Sequence, residues 1–324
     1  MAAETTAATV DGETITEAQV EQAARIKLIG NVALEEDQPV PIEVRRRALS
    51  FLIGARLFQV EQARLNVDAP EGLADEVGRQ LEQDPAFAKL SDGDQFDLVS
   101  AAVVLSSPPA AADGSVSPGV PEDLQQVLVS DPAARAKFRR AHPQLFREIC
   151  ADVAQATPED APKVEAAMKR DADAAFEEFG SVNQCQASVG GNLVARSSPQ
   201  WAIVQAVNTT PVGDLAGPIT TPVANPDPAD GGETVDISTW VRPVGVRNLT
   251  EEEGAELAQS LDGSTMLSYL ALDSGYVKID PRYGDIFAVG PPDGLQVLRI
   301  HPNGSGAATP QDPTAQDPTA PAGV

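Results

Sequence analysis

Imidazoles are nearly absent: His142 and His301 are the only histidines in 324 residues. Chemistry near neutral pH that needs two histidines therefore has few places to sit. Aromatic residues are scarce as well, at 4% against 42% apolar residues overall, so any core must be assembled mainly from Ala, Val and Leu. Cys150 and Cys185 are the only cysteines, too few for a disulfide scaffold and, alone, silent on compartment. Basic residues number 23 against 48 acids, a formal charge of −25. No basic stripe exists to displace counterions, which excludes nucleic acid and anionic membrane surfaces as partners. No apolar run approaches the roughly 18–20 residues that cross a bilayer, so no transmembrane segment is expected. The first nine residues lack both a basic region and an apolar core, and read as no signal peptide. This leaves a cytoplasmic protein or a mature form with an added start Met. No phosphate-cradling glycine loop, metal-ligand spacing or nucleophile elbow occurs, so neither cofactor nor metal is expected. Asp92-Gly93-Asp94 and Asp171-Ala172-Asp173 lack a third oxygen ligand at calcium-loop spacing, and read as helix caps.

What remains is enough for two or three domains. Residues 9–15 read as a short strand and turn. Thr16-Glu17-Ala18-Gln19 then forms a capping box, with Ile15 and Val20 as a hydrophobic staple, predicting a helix through about Ile29. Residues 41–66 carry an apolar stripe too broad for a surface helix, which places this helix centrally. Shorter helices are expected over 70–83 and 94–105. Residues 106–120, rich in Pro, Ala, Gly and Ser, read as a flexible connection, after which Asp131 starts a helix. A strand over 145–153 and a helix over 158–179, interrupted near Asp171, follow. A short helix around Trp201, strands over 217–221 and 234–244, and a final helix over 251–270 complete the pattern. Residues 276–279 and 295–300 are strand-like. The tail, 303–324, contains the repeat QDPTA-QDPTA and cannot bury enough surface to order itself.

Gly190-Gly191-Asn192-Leu193 is followed by Gly213-Asp214-Leu215-Ala216-Gly217-Pro218-Ile219. This order resembles the second half of a parvulin-type prolyl isomerase domain, which runs Ser-x-Asp, a loop, Gly-Gly-x-Leu, then Gly-x-x-x-x-Pro-Val. The opening TVDGETITEAQVEQAAR is similar to the start of the bacterial extracytoplasmic chaperone SurA and its relatives. In that family the two chain ends pack into one chaperone domain, and the isomerase module is inserted between them. The resemblance therefore implies an α+β protein in two units. Residues 9–135 plus 249–300 form a mostly helical domain, and 140–248 an inserted parvulin-like α+β domain. A strand near the N-terminus cannot satisfy its backbone groups alone; pairing with 276–280 or 295–300 would.

The resemblance also permits an audit of chemistry. A parvulin site uses a His on the first strand, a second His on the last, and an Asp or Cys in the loop before Gly-Gly. Here the first position falls on Asp152, Val153 or Glu148, depending on register, and the last strand, Thr234 to Trp240, has no His. Asn183 stands where the loop Asp or Cys belongs. Leu193 matches the family's pocket leucine and Trp201 its aromatic; the Met is missing. Rotation about a prolyl C–N bond faces a barrier of about 18–20 kcal/mol, and losing both imidazoles and part of the pocket removes the means to lower it. The parvulin fold further implies that the loop carrying Cys185 crosses the strand carrying Cys150, and so a Cys150–Cys185 disulfide.

Three function classes stay open. The first is an extracytoplasmic chaperone or foldase that binds unfolded or exported polypeptides, with a non-catalytic parvulin domain. The second is an active parvulin-type isomerase, and the third an adaptor for one dedicated partner. For the first, the helices over 17–29 and 43–65 are expected to leave a partly open apolar groove lined by residues such as Leu28, Leu52 or Phe58.

Overall fold

The computed structural model describes residues 5–35, 37–106, 119–187, 200–224, 234–272, 275–288 and 295–298. The connection expected over 106–120 lies outside them from 107 to 118, as do Gly190 to Leu193 and the tail. Asp11 and Gly12 both take positive φ, 49° and 84°. Such a two-residue turn matches the twist of an antiparallel hairpin. It joins β1 (Thr6–Val10) to β2 (Glu13–Thr16). Thr16 then caps α1 (Glu17–Arg25) as expected: its hydroxyl accepts the Gln19 N–H at 3.2 Å, and its own N–H donates to Gln19 Oε1 at 2.9 Å. The helix expected to reach Ile29 breaks at Ile26, whose extended backbone separates α1 from α2 (Lys27–Gly30).

α3 (Ile42–Leu65) is the central helix. Val44, Leu49, Ile53, Leu57 and Phe58 are all buried along it, and Asn66, left-handed at φ 54°, ends it. Around it lie α4 (Leu73–Leu81), α5 (Asp92–Val103), α6 (Val120–Ser130) and α7 (Pro132–Ala141). α7 begins at its Asp131 cap as expected, whereas α6 is an addition to the sequence reading.

The chain's other end returns to this layer. α11 (Glu251–Ser260) and α12 (Gly263–Leu272) replace the single helix expected over 251–270, which breaks at Leu261. They pack on α3, α6 and α7, and one apolar cluster combines Ala8 and Val10 with Leu57, Leu124, Met266 and Leu270. β7 (Val277–Ile279) then pairs antiparallel with β1, placing Ala8 opposite Ile279 and Val10 opposite Val277. Of the two return strands considered, 276–280 closes this sheet, of order β2-β1-β7. The other forms a separate hairpin, β8 (Asp285–Ala288) with β9 (Leu295–Leu298).

Between the two ends sits a four-stranded antiparallel sheet. Its elements are β3 (Arg147–Ala156), α8 (Ala161–Arg170), α9 (Ala172–Phe179), β4 (Gly180–Ala187), α10 (Trp201–Thr209), β5 (Ala216–Ala224) and β6 (Thr234–Asn248). The strand order is β4-β3-β6-β5. Its core is separate: Ala154, Val164, Met168, Phe176 and Trp240 pack together with no member of the helical cluster. The break near Asp171 is present, with Asp171 capping α9. The architecture is therefore α+β, with helices of both chain ends in contact and the sheet inserted between them. The segment before Gly190 corrects the sequence reading: residues 180–187 form a strand, not a loop. Gly217 of the parvulin-like motif is required as glycine, because at φ 130° a Cβ would stand 2.8 Å from the Thr239 carbonyl oxygen.

Candidate functional site

At Asp152, one of the three positions the resemblance offers for the first imidazole, the sheet holds an ion pair. Asp152 on β3 faces Arg242 on β6 across the ladder. The β3–β4 pairing shifts register between Ala151 and Val153, so Asp152 sits at a bulge in which Asn183 takes φ 53°. Bulges re-aim groups that a regular ladder would direct elsewhere. Here the Asn183 N–H donates to Asp152 Oδ1 at 2.7 Å. Arg242 donates to Oδ2 through Nε at 3.0 Å and Nη2 at 2.6 Å. Its remaining Nη1 reaches Asp173 Oδ1 at 2.5 Å, and the guanidinium lies over the Phe176 ring. The Asp152 side chain is only 5% exposed. Hydrogen bonding to Asp152 drives the Arg242 pKa still higher, against the effect of its burial, and bonding to Asp173 adds to the rise.

This arrangement is held by charge and hydrogen bonds. Arg242 stays charged at any working pH, and both Asp152 oxygens are occupied. The four strands carry no histidine. His142 sits at the end of α7, buried, with Nε2 2.8 Å from Glu61 Oε1 on α3. The Tyr276 hydroxyl donates to the same oxygen at 2.7 Å, and Arg64 lies 3.0 Å from it. Burial first, and the Glu61 carboxylate second, push the Tyr276 hydroxyl pKa well above its usual range. Arg64 also reaches Asp11 in the first hairpin turn at 3.0 Å. This cluster knits together α3, α7, the first turn and the returning segment.

The cysteines meet as expected. Cys150 and Cys185 are directly opposed on β3 and β4 and form a disulfide. Glu148 is the third member of the one metal-ligating group gathered among the described residues. The two sulfurs are bonded to each other, which takes both thiolates out of that set, and Glu148 accepts from Arg247 Nε at 2.7 Å. Arg247 also grips Glu253 on α11, holding that carboxyl down to about pKa 2, mainly by its own hydrogen bonds and then by those from Thr250. Asp94 of the first carboxylate pair lies in the first turn of α5, where it bonds Ser91 and Gln22.

The remaining site residues of the sequence reading scatter. Leu193 lies outside the described residues, and Trp201 begins α10. Leu28 is 65% exposed beside the Asp84-Pro85 turn, Leu52 is half-buried in a cleft between α1, α3 and α5, and Phe58 is 2% exposed in the helical core. They do not share a groove. The residues that sequence reasoning missed are Arg242, Asp173 and Phe96. Phe96 on α5 is 71% exposed, more than any other large apolar side chain among the described residues. Among the described residues no helix is long and apolar enough to cross a membrane.

No protein-family model matches the chain, and no curated protein matches it. Solved structures do. The foldase protein PrsA of Lactococcus lactis is 13% identical, over 85% of this chain and 95% of that one, with a TM-score of 0.22. A second match comes from the virulence factor PEB4 and the periplasmic protein Cj1289, two SurA-like chaperones of Campylobacter jejuni. It is 14% identical over 85% of this chain and 99% of that one, with a TM-score of 0.20.

Proposed function

We propose that this protein is an extracytoplasmic chaperone that binds unfolded or exported polypeptides, and that its inserted parvulin-like domain is non-catalytic. The observation that carries the second half is the Asp152–Arg242 pair. Asp152 is one of the three positions, with Val153 and Glu148, on which the parvulin resemblance places the first imidazole, and both of its carboxylate oxygens accept hydrogen bonds. A site that lowers a prolyl barrier must present polar groups to the twisting amide; this one has turned them on each other. Residues 9–135 and 249–300 act as the client-binding domain, residues 140–248 as the insert. The domain division is supported by the two separate cores and by the fresh helix start at Thr250, whose side chain caps α11. The disulfide supports an oxidising compartment, since cytosolic thiols are kept reduced.

Two measurements test the proposal. Added at a modest excess, the protein should suppress aggregation of a chemically denatured test protein, and should leave Xaa-Pro isomerisation at its uncatalysed rate. No suppression refutes the chaperone reading. A rate clearly above background refutes the reading of the sheet and restores the isomerase.

A further inference from the structure

On the face where α5 meets α1 and α3, the helical domain has an open cleft of about 390 Å³. Ile15, Leu52, Ala55 and Leu98 supply apolar wall, and Phe96 stands at its edge. A second cleft, of about 1000 Å³, is walled in part by Phe87, Val99 and Val103. Phe96 lines both. An aromatic side chain left 71% exposed between two partly apolar clefts presents contact area that folding does not use.

The charged groups around these clefts are unbalanced. The first has Glu13, Asp94 and Asp97 against Arg56, and Arg56 is already paired with Glu13 at 2.8 Å. The second has Asp75, Glu82 and Asp92 against Arg79. Each therefore carries two more acids than bases, on a chain whose formal charge is −25. An apolar surface rimmed by one sign of charge selects partners of the opposite sign, in encounter rate as well as orientation.

We infer that this Phe96-centred surface on α5 is the client-docking site, and that it takes unfolded segments in which apolar residues are interleaved with Lys or Arg. The inference rests on the chaperone reading above and adds the place and the chemical class of client. Phe96 packs on the apolar side chains of the segment while the rim carboxylates meet its cations. Acidic segments with the same apolar content are repelled. Neither Leu28 nor Phe58 takes part: one lies beside a different depression, the other in the core.

The test uses the full-length protein and two fluorescent peptides of identical Phe and Leu content, one spaced with Lys and the other with Glu. Binding is followed by anisotropy at low and at high NaCl. The Lys peptide should bind about tenfold more tightly than the Glu peptide, and salt should narrow the gap because exposed charges are screened. Phe96→Ala should weaken the Lys peptide about tenfold, as expected for an aromatic anchor. Phe96→Trp should restore it. Asp97→Asn should weaken the Lys peptide and strengthen the Glu peptide, narrowing the gap between them. Because Phe96 and Asp97 are exposed, these variants should keep the wild-type unfolding curve, which is checked in parallel. Equal affinity for the two peptides would overturn the charge selection, and binding indifferent to Phe96→Ala would overturn the site. If the wild type suppresses aggregation yet both outcomes occur, the chaperone reading stands and this inference falls. If it neither suppresses aggregation nor binds either peptide, both fall.

Discussion

Removing both partners of the Asp152–Arg242 pair should destabilise the inserted sheet by well under the sum of the two single removals. Asp152→Ala leaves Arg242, whose side chain is 18% exposed, with only Asp173 as a counter-charge, and Asp173 is 81% exposed. It also strips the Asn183 N–H at the bulge of its acceptor. Breaking a buried pair costs about 3–5 kcal/mol. The surviving Asp173 contact puts this variant at the lower end, about 3 kcal/mol. Arg242→Met removes both donors from Asp152 Oδ2 but leaves the Asn183 bond, and its aliphatic chain still covers Phe176. About 3 kcal/mol is expected here too. In Asp152→Ala/Arg242→Met no unpaired charge remains, so the loss should fall well short of the sum, with a coupling of about 2 kcal/mol or more. The assay is urea unfolding at pH 7, followed by near-ultraviolet dichroism, to which the buried Trp240 in the same core contributes. Losses under about 1 kcal/mol for both single variants would mean the pair is solvated. Additive losses would mean the two side chains do not act on each other. Either result would remove the main argument that this sheet has exchanged chemistry for cohesion.

Three further outcomes follow from the same contacts. The Cys150–Cys185 bridge spans a sequence separation of 35, so replacing both cysteines with Ala should cost up to about 4 kcal/mol by loop entropy; thiol titration of the denatured, unreduced protein should find no free thiol. Tyr276→Phe should cost about 1–3 kcal/mol, because Glu61 loses a buried donor; thermal unfolding would show it, and an unchanged midpoint would deny the cluster its role. Glu253, held to about pKa 2 against an ordinary 4.5, contributes stability that is full above pH 4.5 and lost as pH falls toward 2. The gap in urea midpoint between wild type and Glu253→Gln should therefore be largest near pH 6 and close by pH 2, and a constant gap would contradict the assignment to Arg247.

Local signals were legible where one short stretch carries its own partners. Thr16 and Gln19 satisfy each other within a single turn, and residues 41–66 show their apolar breadth without reference to anything else. The disulfide was legible only through the parvulin resemblance, which brought two distant strands together. Strand β4 was not legible: its sequence, GSVNQCQA, has no apolar alternation, because it lies at the sheet edge and bulges at Asn183. α6 was hidden by the Pro- and Gly-rich stretch before it, although Glu122 reaches back to the Gly119 N–H and fixes its start. The pairing of Asp152 with Arg242 depends on strand register across 90 residues, which no local pattern encodes. The apolar periodicity that singled out Leu28, Leu52 and Phe58 says which side chains share a helix face. It does not say which neighbour covers that face, and so it could not separate the buried Phe58 from the exposed Phe96.

The pairing of β1 with β7 also sets an order of events during synthesis. Ala8 waits for Ile279, 271 residues later. At about 5–20 residues per second that gap lasts about 15–50 seconds. Late in this interval, once Asn248 has been made, the inserted sheet has all its strands and can form first, while α1 to α7 have neither the third strand of their sheet nor α12 to cover them. A nascent copy is therefore incompletely folded through this interval, and a copy that terminates early never completes the layer on which α5 is mounted. Only a chain translated past Ile279 closes the three-stranded sheet.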